Sequence, residues 1–411
     1  MGQKLVNRVR DWGRPPRILG IDLARGIAII GMMAAHMASL PALEWSEPST
    51  WGGVVVGRSS LLFAFVAGVS LALVSRNPRY HSDIGRARFR LELLGRAMAV
   101  FAIGLGCELM NSGIAIILTV YGVLFLCIIP FIWVPTKRLI LMAIGLGALG
   151  PVLVLVLRNV SLQPSASGLD LFLFNIYTLP AWLTFMLAGL VLGRQNLGSV
   201  RVAVTAVLVG ILLAVIGYSF GYLGDNKLTE YQASLDTGSA SAYESSLDLD
   251  MDDFPATDAN KSVVTSEVDS GEDDEYTYLT GVRDTFTWSP VWGALVTATD
   301  HSGGTMEIIG SGGFVLALVG LCLLIARPLR WLILPIACGG SMPLTTYVVH
   351  IAAFTALSAG PGQEFTKGSV EMWAWNVAAI LAGATLWALV WGKGPLERLV
   401  ARAAKAMSKG I

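Results

Sequence analysis

The run ILGIDLARGIAIIGMMAAHM, beginning at Ile18, is long and apolar enough to cross a bilayer, yet it carries Asp22, Arg25 and His36. Ionisable groups inside a span are costly and mark a functional site by default. At roughly 100° per residue the three fall in one stripe of the helix. Asp22 precedes Arg25 by one turn, and His36 follows about three turns later, roughly 16 Å along the axis. One helix face therefore carries an acid–base pair near its start and an imidazole near its end.

The rest of the 411 residues fits a polytopic membrane protein: 54% are hydrophobic and only 14% charged, against about a quarter charged in soluble chains. Mean hydropathy is +0.63. The 45 glycines suit close helix–helix approach in lipid. Cys107, Cys127, Cys322 and Cys338 sit in apolar runs without metal-ligand spacing and read as packing residues. The start, MGQKLVNRVRDWGRPPR, is basic and polar, and the apolar run after it is too long for a cleavable signal.

Hydropathy predicts an all-α chain of about ten spans, near 18–40, 54–75, 94–111, 114–135, 139–157, 175–193, 201–223, 306–326, 331–358 and 372–392. Basic residues segregate to one side: the arm before Ile18, the loop from Arg76 to Arg96, Lys137 and Arg138, Arg194 and Arg201, Arg327 and Arg330, and the tail. The positive-inside rule makes that side, with both termini, cytoplasmic. The expected divisions are a basic arm 1–17, spans one to seven over 18–224, an acidic extracytoplasmic insertion 225–290, a re-entrant segment with the last three spans over 291–392, and a tail 393–411. The insertion contains DLDMDDF and SEVDSGEDDEY and reads as a solvated, disordered segment. Asp248, Asp250 and Asp252 alternate, but the glycine and late glutamate of a calcium loop are missing. The tail LERLVARAAKAMSKGI forms a basic amphipathic helix expected to lie on the anionic inner leaflet.

Several polar groups in or near the spans are candidates for chemistry. His36 can take a proton from a hydroxyl or amine, or simply hydrogen-bond backbone. Asp22 and Arg25 can form an intrahelical ion pair, and a buried arginine is also a phosphate or carboxylate ligand. Arg58 stands at the outer mouth of the second span, where it can snorkel. In SMPLTTYVVHIAAF, Pro343, Thr346 and His350 share a face, with Tyr347 beside them, so His350 is a second acid or base candidate. His301 and Glu307 lie in the glycine-rich DHSGGTMEIIGSGG, and adjacent Asp300, His301 and Ser302 cannot form a catalytic triad. The loop RNPRYHSDIGRARFRLELLGR, with Arg86, Arg88 and Arg90, would hold a polyphosphate beneath the first span, or be ordinary positive-inside charge. No P-loop, GxGxxG, zinc motif or aromatic–basic interleaving points to ATP, dinucleotide, metal or nucleic acid.

In IDLARGIAIIGMMAAH, GRSSLLFAFVAGVSLAL, YGVLFLCIIPF, HSGGTMEIIGSGGFVLALVGLCLL, GSMPLTTYVVHI and WGKGPLERLV, the chain resembles the transmembrane acyltransferase superfamily. The nearest branches are the heparan-alpha-glucosaminide N-acetyltransferase-like and bacterial YeiB-type proteins. The resemblance implies transfer of an acyl group, acetyl first, from cytoplasmic acyl-CoA to a hydroxyl or amine of a cell-envelope glycan or glycolipid. It also implies a bacterial plasma membrane location, and leaves a homo-oligomer open. In the O-acetylase branch an arginine and a histidine eleven apart on the first helix are functionally important, and Arg25 and His36 match that spacing. Arginines after the second helix also serve there, where Arg86, Arg88 and Arg90 stand. The lysosomal N-acetylase has asparagine where His36 is, and its catalytic histidine sits in the next luminal loop. Here that loop, ALEWSEPSTW, has Glu47 near that place and no histidine, which favours direct transfer with His36 as base. The rival reading is a transporter or lipid exporter using the same charges as a substrate path.

Overall fold

A computed structural model describes residues 17–44, 46–161, 178–247, 288–298, 302–358 and 369–409, with side chains of 158–161, 228–247, 288–290 and 358 excepted. Every long element among these is helical: α1 Leu19–Met37, α2 Arg58–Ser75, α3 Asp83–Glu108, α4 Leu118–Cys127, α5 Thr136–Ser161, α6 Leu179–Gly193, α7 Val200–Leu247, α8 Trp288–Val296, α9 Thr305–Ile325, α10 Leu334–Gly340, α11 Pro343–Ser358, α12 Val370–Val390 and α13 Pro395–Met407. Among the described residues six helices are long and apolar enough to cross a membrane, seven if one bent pair is counted as a span. Each of the ten predicted segments contains an α-helix among its described residues, but α4 and α6 are shorter than a full span.

The first helix is the axis of the bundle. α1 packs against α2, α9, α10, α11 and α12. Glycines on different sides of α1 admit different neighbours: a Cβ on Gly20 would meet the Cys322 backbone, one on Gly26 the Ile336 backbone, and one on Gly31 the Ser59 side chain. This is the small-residue packing that substitutes for hydrophobic drive in lipid. α7 and α9 meet in the same way through Gly210, Gly217, Gly310 and Gly313. The outer helices turn leucine and isoleucine outward, among them Leu141, Ile144 and Leu149 on α5 and Leu208, Leu212 and Val215 on α7. An apolar surface of this kind belongs to a membrane protein.

Two local expectations are corrected and a third is extended. The arginine-rich run read as a loop is the start of α3. Ser82 caps it, its Oγ accepting from the Gly85 amide at 3.0 Å, and Asp83 occupies the first turn where a negative charge suits the helix dipole. The ninth span is not one helix: α10 and α11 meet at 90°. Pro343 opens α11, where its missing amide proton is no loss, and Glu397 supplies the acceptor for the next amides, at 2.8 Å from Leu344 N and 3.1 Å from Thr345 N. The amphipathic tail is folded against the protein: α13 packs on α3, where Gly95 lets the backbone of Ala403 and Ala404 approach.

α7 runs across the expected start of the acidic insertion as far as Leu247. The acidic motifs from Asp248 onward, the basic arm before Arg17, and His301 lie outside the described residues.

Candidate functional site

The Asp22 carboxylate, 6% exposed, accepts from Arg17 Nε at 2.6 Å and from Arg25 Nη1 at 2.7 Å. Arg25 Nη2 donates to Ser70 Oγ at 2.5 Å, and Ser70 donates to the Val66 carbonyl one turn back on α2. Arg25 is thereby fixed between α1 and α2, with its guanidinium on a cavity of about 630 Å³. Arg17, Arg25, Arg96 and Lys393 line this basic cavity, with Glu397 of α13 as its carboxylate. Phe63, Tyr121 and Phe125 line it as well. Cationic groups beside aromatic walls suit a ligand with phosphates and an apolar part.

At the other end of α1, His36 lines a second cavity of about 310 Å³, together with Ser59, Ser60 and Tyr347. His36 Nδ1 lies 3.2 Å from His350 Nε2, and the two rings are nearly parallel, 10° apart. His350 Nδ1 lies 3.1 Å from Asn376 Oδ1 on α12. The Trp373 indole donates to the Ile30 carbonyl at 3.3 Å and ties α12 to α1 one turn from Asn376. The two cavities are close: on α4 the histidine cavity takes Ile117, just before the helix, and the basic cavity takes Leu118. On α2 they are Ser60 and Phe63. Tyr121 stands at this wall, its hydroxyl donating to the Ser60 carbonyl at 3.5 Å.

The family of the heparan-alpha-glucosaminide N-acetyltransferase catalytic domain matches residues 17–231, more than half of the chain. The chain belongs to this family. Membership implies a transmembrane acetyltransferase. No curated protein matches the chain. The stretch matched to the N-acetyltransferase domain includes Asp22, Arg25, Arg96 and His36, whereas Lys393, Glu397, His350 and Asn376 lie beyond it. Both cavities are therefore completed by the later part of this N-acetyltransferase-family chain.

The remaining predicted residues are distributed as follows. All three ionisable groups of α1 face the bundle interior. Tyr347 is buried at the histidine cavity. Arg58 is buried but bridges helices rather than lining either cavity: its Nε donates to Tyr218 Oη at 2.6 Å, and Tyr218 Oη lies 3.1 Å from Ser311 Oγ, so α2, α7 and α9 are joined. Glu307 accepts from Ser302 Oγ at 2.9 Å and from Gly303 N at 2.6 Å, which fixes the turn into α9. Glu47 is exposed and accepts from Ser49 Oγ at 2.9 Å. Arg86, Arg88 and Arg90 are exposed on α3 and are not among the residues lining the basic cavity. Arg90 covers Trp133, 5.4 Å from the ring centroid. Sequence reasoning missed Arg96 and Lys393, which look like ordinary positive-inside charges, and Ser70. It also missed Asn376, although an amide inside the apolar run VEMWAWNVAAIL is itself a signal.

Proposed function

We propose that the protein transfers an acyl group, acetyl first, from acyl-CoA in the basic cavity to a hydroxyl or amine in the histidine cavity. The observation that carries this reading is the pair of cavities along α1, four cations at one and an imidazole at the other, whose walls approach within about one helical turn at Ser60 and Phe63 of α2. Arg17, Arg25, Arg96 and Lys393 would hold the phosphates of the donor, replacing Arg86, Arg88 and Arg90 in that role. The thioester would reach the wall at Tyr121. The acceptor proton passes to His36 as the acceptor O–C or N–C bond forms; the C–S bond breaks, and the CoA thiolate recovers a proton. Asp22 holds Arg25 in place.

The segregation of basic residues supports a cytoplasmic basic cavity and an outward histidine cavity. A cell-envelope glycan or glycolipid on a bacterial plasma membrane is then the acceptor. Purified protein in lipid nanodiscs, given labelled acetyl-CoA and membrane glycolipids, should label an acceptor. His36→Ala should lower the rate roughly 10²–10⁴-fold, the usual share of a general base, while leaving the melting temperature unchanged. Arg96→Gln and Lys393→Gln should raise KM for acetyl-CoA and leave the acceptor KM alone. Equal loss on both substrates would refute the assignment of the basic cavity. The broken pair α10–α11 favours one other reading, a transporter; such a protein would move its substrate into vesicles without CoA.

A further inference from the structure

The ring of His36 is held by a second histidine, and that one by an asparagine, each on a different helix. A neutral imidazole has one N–H and one lone pair, so the chain has a direction. With the Asn376 carboxamide turned so that Oδ1 faces His350 Nδ1 at 3.1 Å, that oxygen accepts, the proton of His350 sits on Nδ1, and a lone pair is left on Nε2, 3.2 Å from His36 Nδ1. His36 Nδ1 must then carry the proton of its own ring. Its other nitrogen, Nε2, is left with the lone pair that a general base needs. The reverse direction would put a proton on Nε2 and make His36 useless as a base.

We propose that His350 and Asn376 are positioning residues that hold His36 in its Nδ1–H tautomer, with Nε2 offered to the acceptor in the histidine cavity. The role rests on the acyl-transfer reading above. Neither residue touches the reacting atoms. The proton of the acceptor hydroxyl or amine goes to His36 Nε2, the new bond to the acyl carbon forms, the C–S bond breaks, and the proton returns to the CoA thiolate. While His36 is cationic, its Nδ1–H bond to His350 becomes charge-assisted and stronger. A neutral asparagine as the last member avoids a permanent buried ion, which a carboxylate would introduce into apolar α12. Tyr347, a buried phenol on α11, lines the same cavity.

The decisive comparison is His350→Gln against His350→Leu in full-length protein in nanodiscs. A glutamine amide oxygen can stand near the position of Nε2 and accept from His36; leucine cannot. Expected are kcat within several-fold of wild type for His350→Gln and roughly 10²-fold below it for His350→Leu, with KM for acetyl-CoA unchanged in both. Asn376→Leu should also lower kcat and spare KM. Glutamine as damaging as leucine, in protein that melts like wild type, overturns the proposal and makes His350 the base. A readout independent of turnover is the nitrogen NMR spectrum of histidine-labelled protein. It should show His36 and His350 both protonated at Nδ1, with His350 losing that preference in Asn376→Leu. Protonation of His350 at Nε2 in the wild type refutes the proposal whether or not acyl transfer occurs. The Nδ1–H pattern without any acyl transfer removes the acyl-transfer reading and supports the chain of hydrogen bonds.

Discussion

Replacing Asp22 by alanine should destabilise the fold more than replacing Arg25. The Asp22 side chain is 8% exposed, that of Arg25 20% and that of Arg17 35%. Asp22→Ala leaves the largely buried Arg25 guanidinium without its ion-pair partner, with the Ser70 hydroxyl still at Nη2. Removing one member of such a pair costs about 3–5 kcal/mol. Arg25→Ala leaves the carboxylate still bonded to Arg17 at 2.6 Å and Ser70 still bonded to the Val66 carbonyl, so the main loss is the charged hydrogen bond to Asp22, about 1.5–3 kcal/mol, with the bond to Ser70 lost beside it. Arg17 is a third exposed, and solvent screening keeps its own share small. The double variant Asp22→Ala/Arg25→Ala removes both charges and should be more stable than the sum of the two single losses implies. Reversible unfolding in mixed micelles, followed by tryptophan fluorescence, measures all three. Arg25→Ala as damaging as Asp22→Ala, or a double variant equal to the sum of the singles, would refute the reasoning.

Two further outcomes follow from packing and titration. A Cβ on Gly340 would overlap the Asp22 carbonyl and the Gly26 amide, so Gly340→Ala should cost about 1–3 kcal/mol, whereas Gly383→Ala on α12, with nothing within 4 Å, should be neutral or stabilising in the same unfolding assay. Tyr80, between α2 and α3, is fully buried, donates to Glu92 at 2.6 Å and accepts from Arg79. Burial first, then the hydrogen bond to Glu92, raises its phenol above the ordinary 10.0. The folded state thus favours the neutral phenol. That stabilisation is full below about pH 10 and is lost as pH rises through the raised value. Tyr80→Phe should flatten the alkaline fall of stability, and an unchanged fall would count against the assignment.

The legibility of the molecule follows the range of its signals. The α1 column was readable because a charge inside an apolar run has few explanations. The course of the later helices was readable from hydropathy, but the break before Pro343 was not, since membrane spans tolerate glycine, serine and proline without breaking. The start of α3 was written in Ser82 and Asp83, a cap signal hidden by the arginines that follow. The basic cavity had no local signature. Arg96 belongs to it only because α13 docks on α3 and brings Lys393 and Glu397 to the same space. Such long-range assembly leaves no mark on periodicity.

The carboxylate that closes the bend between α10 and α11 is made 53 residues after the first amide it binds. A growing chain therefore inserts this elbow before the ribosome has produced the group that stitches it. Until then those amides must be served by water or by headgroups. The final shape of this part of the protein is committed late in translation, when α13 comes to rest.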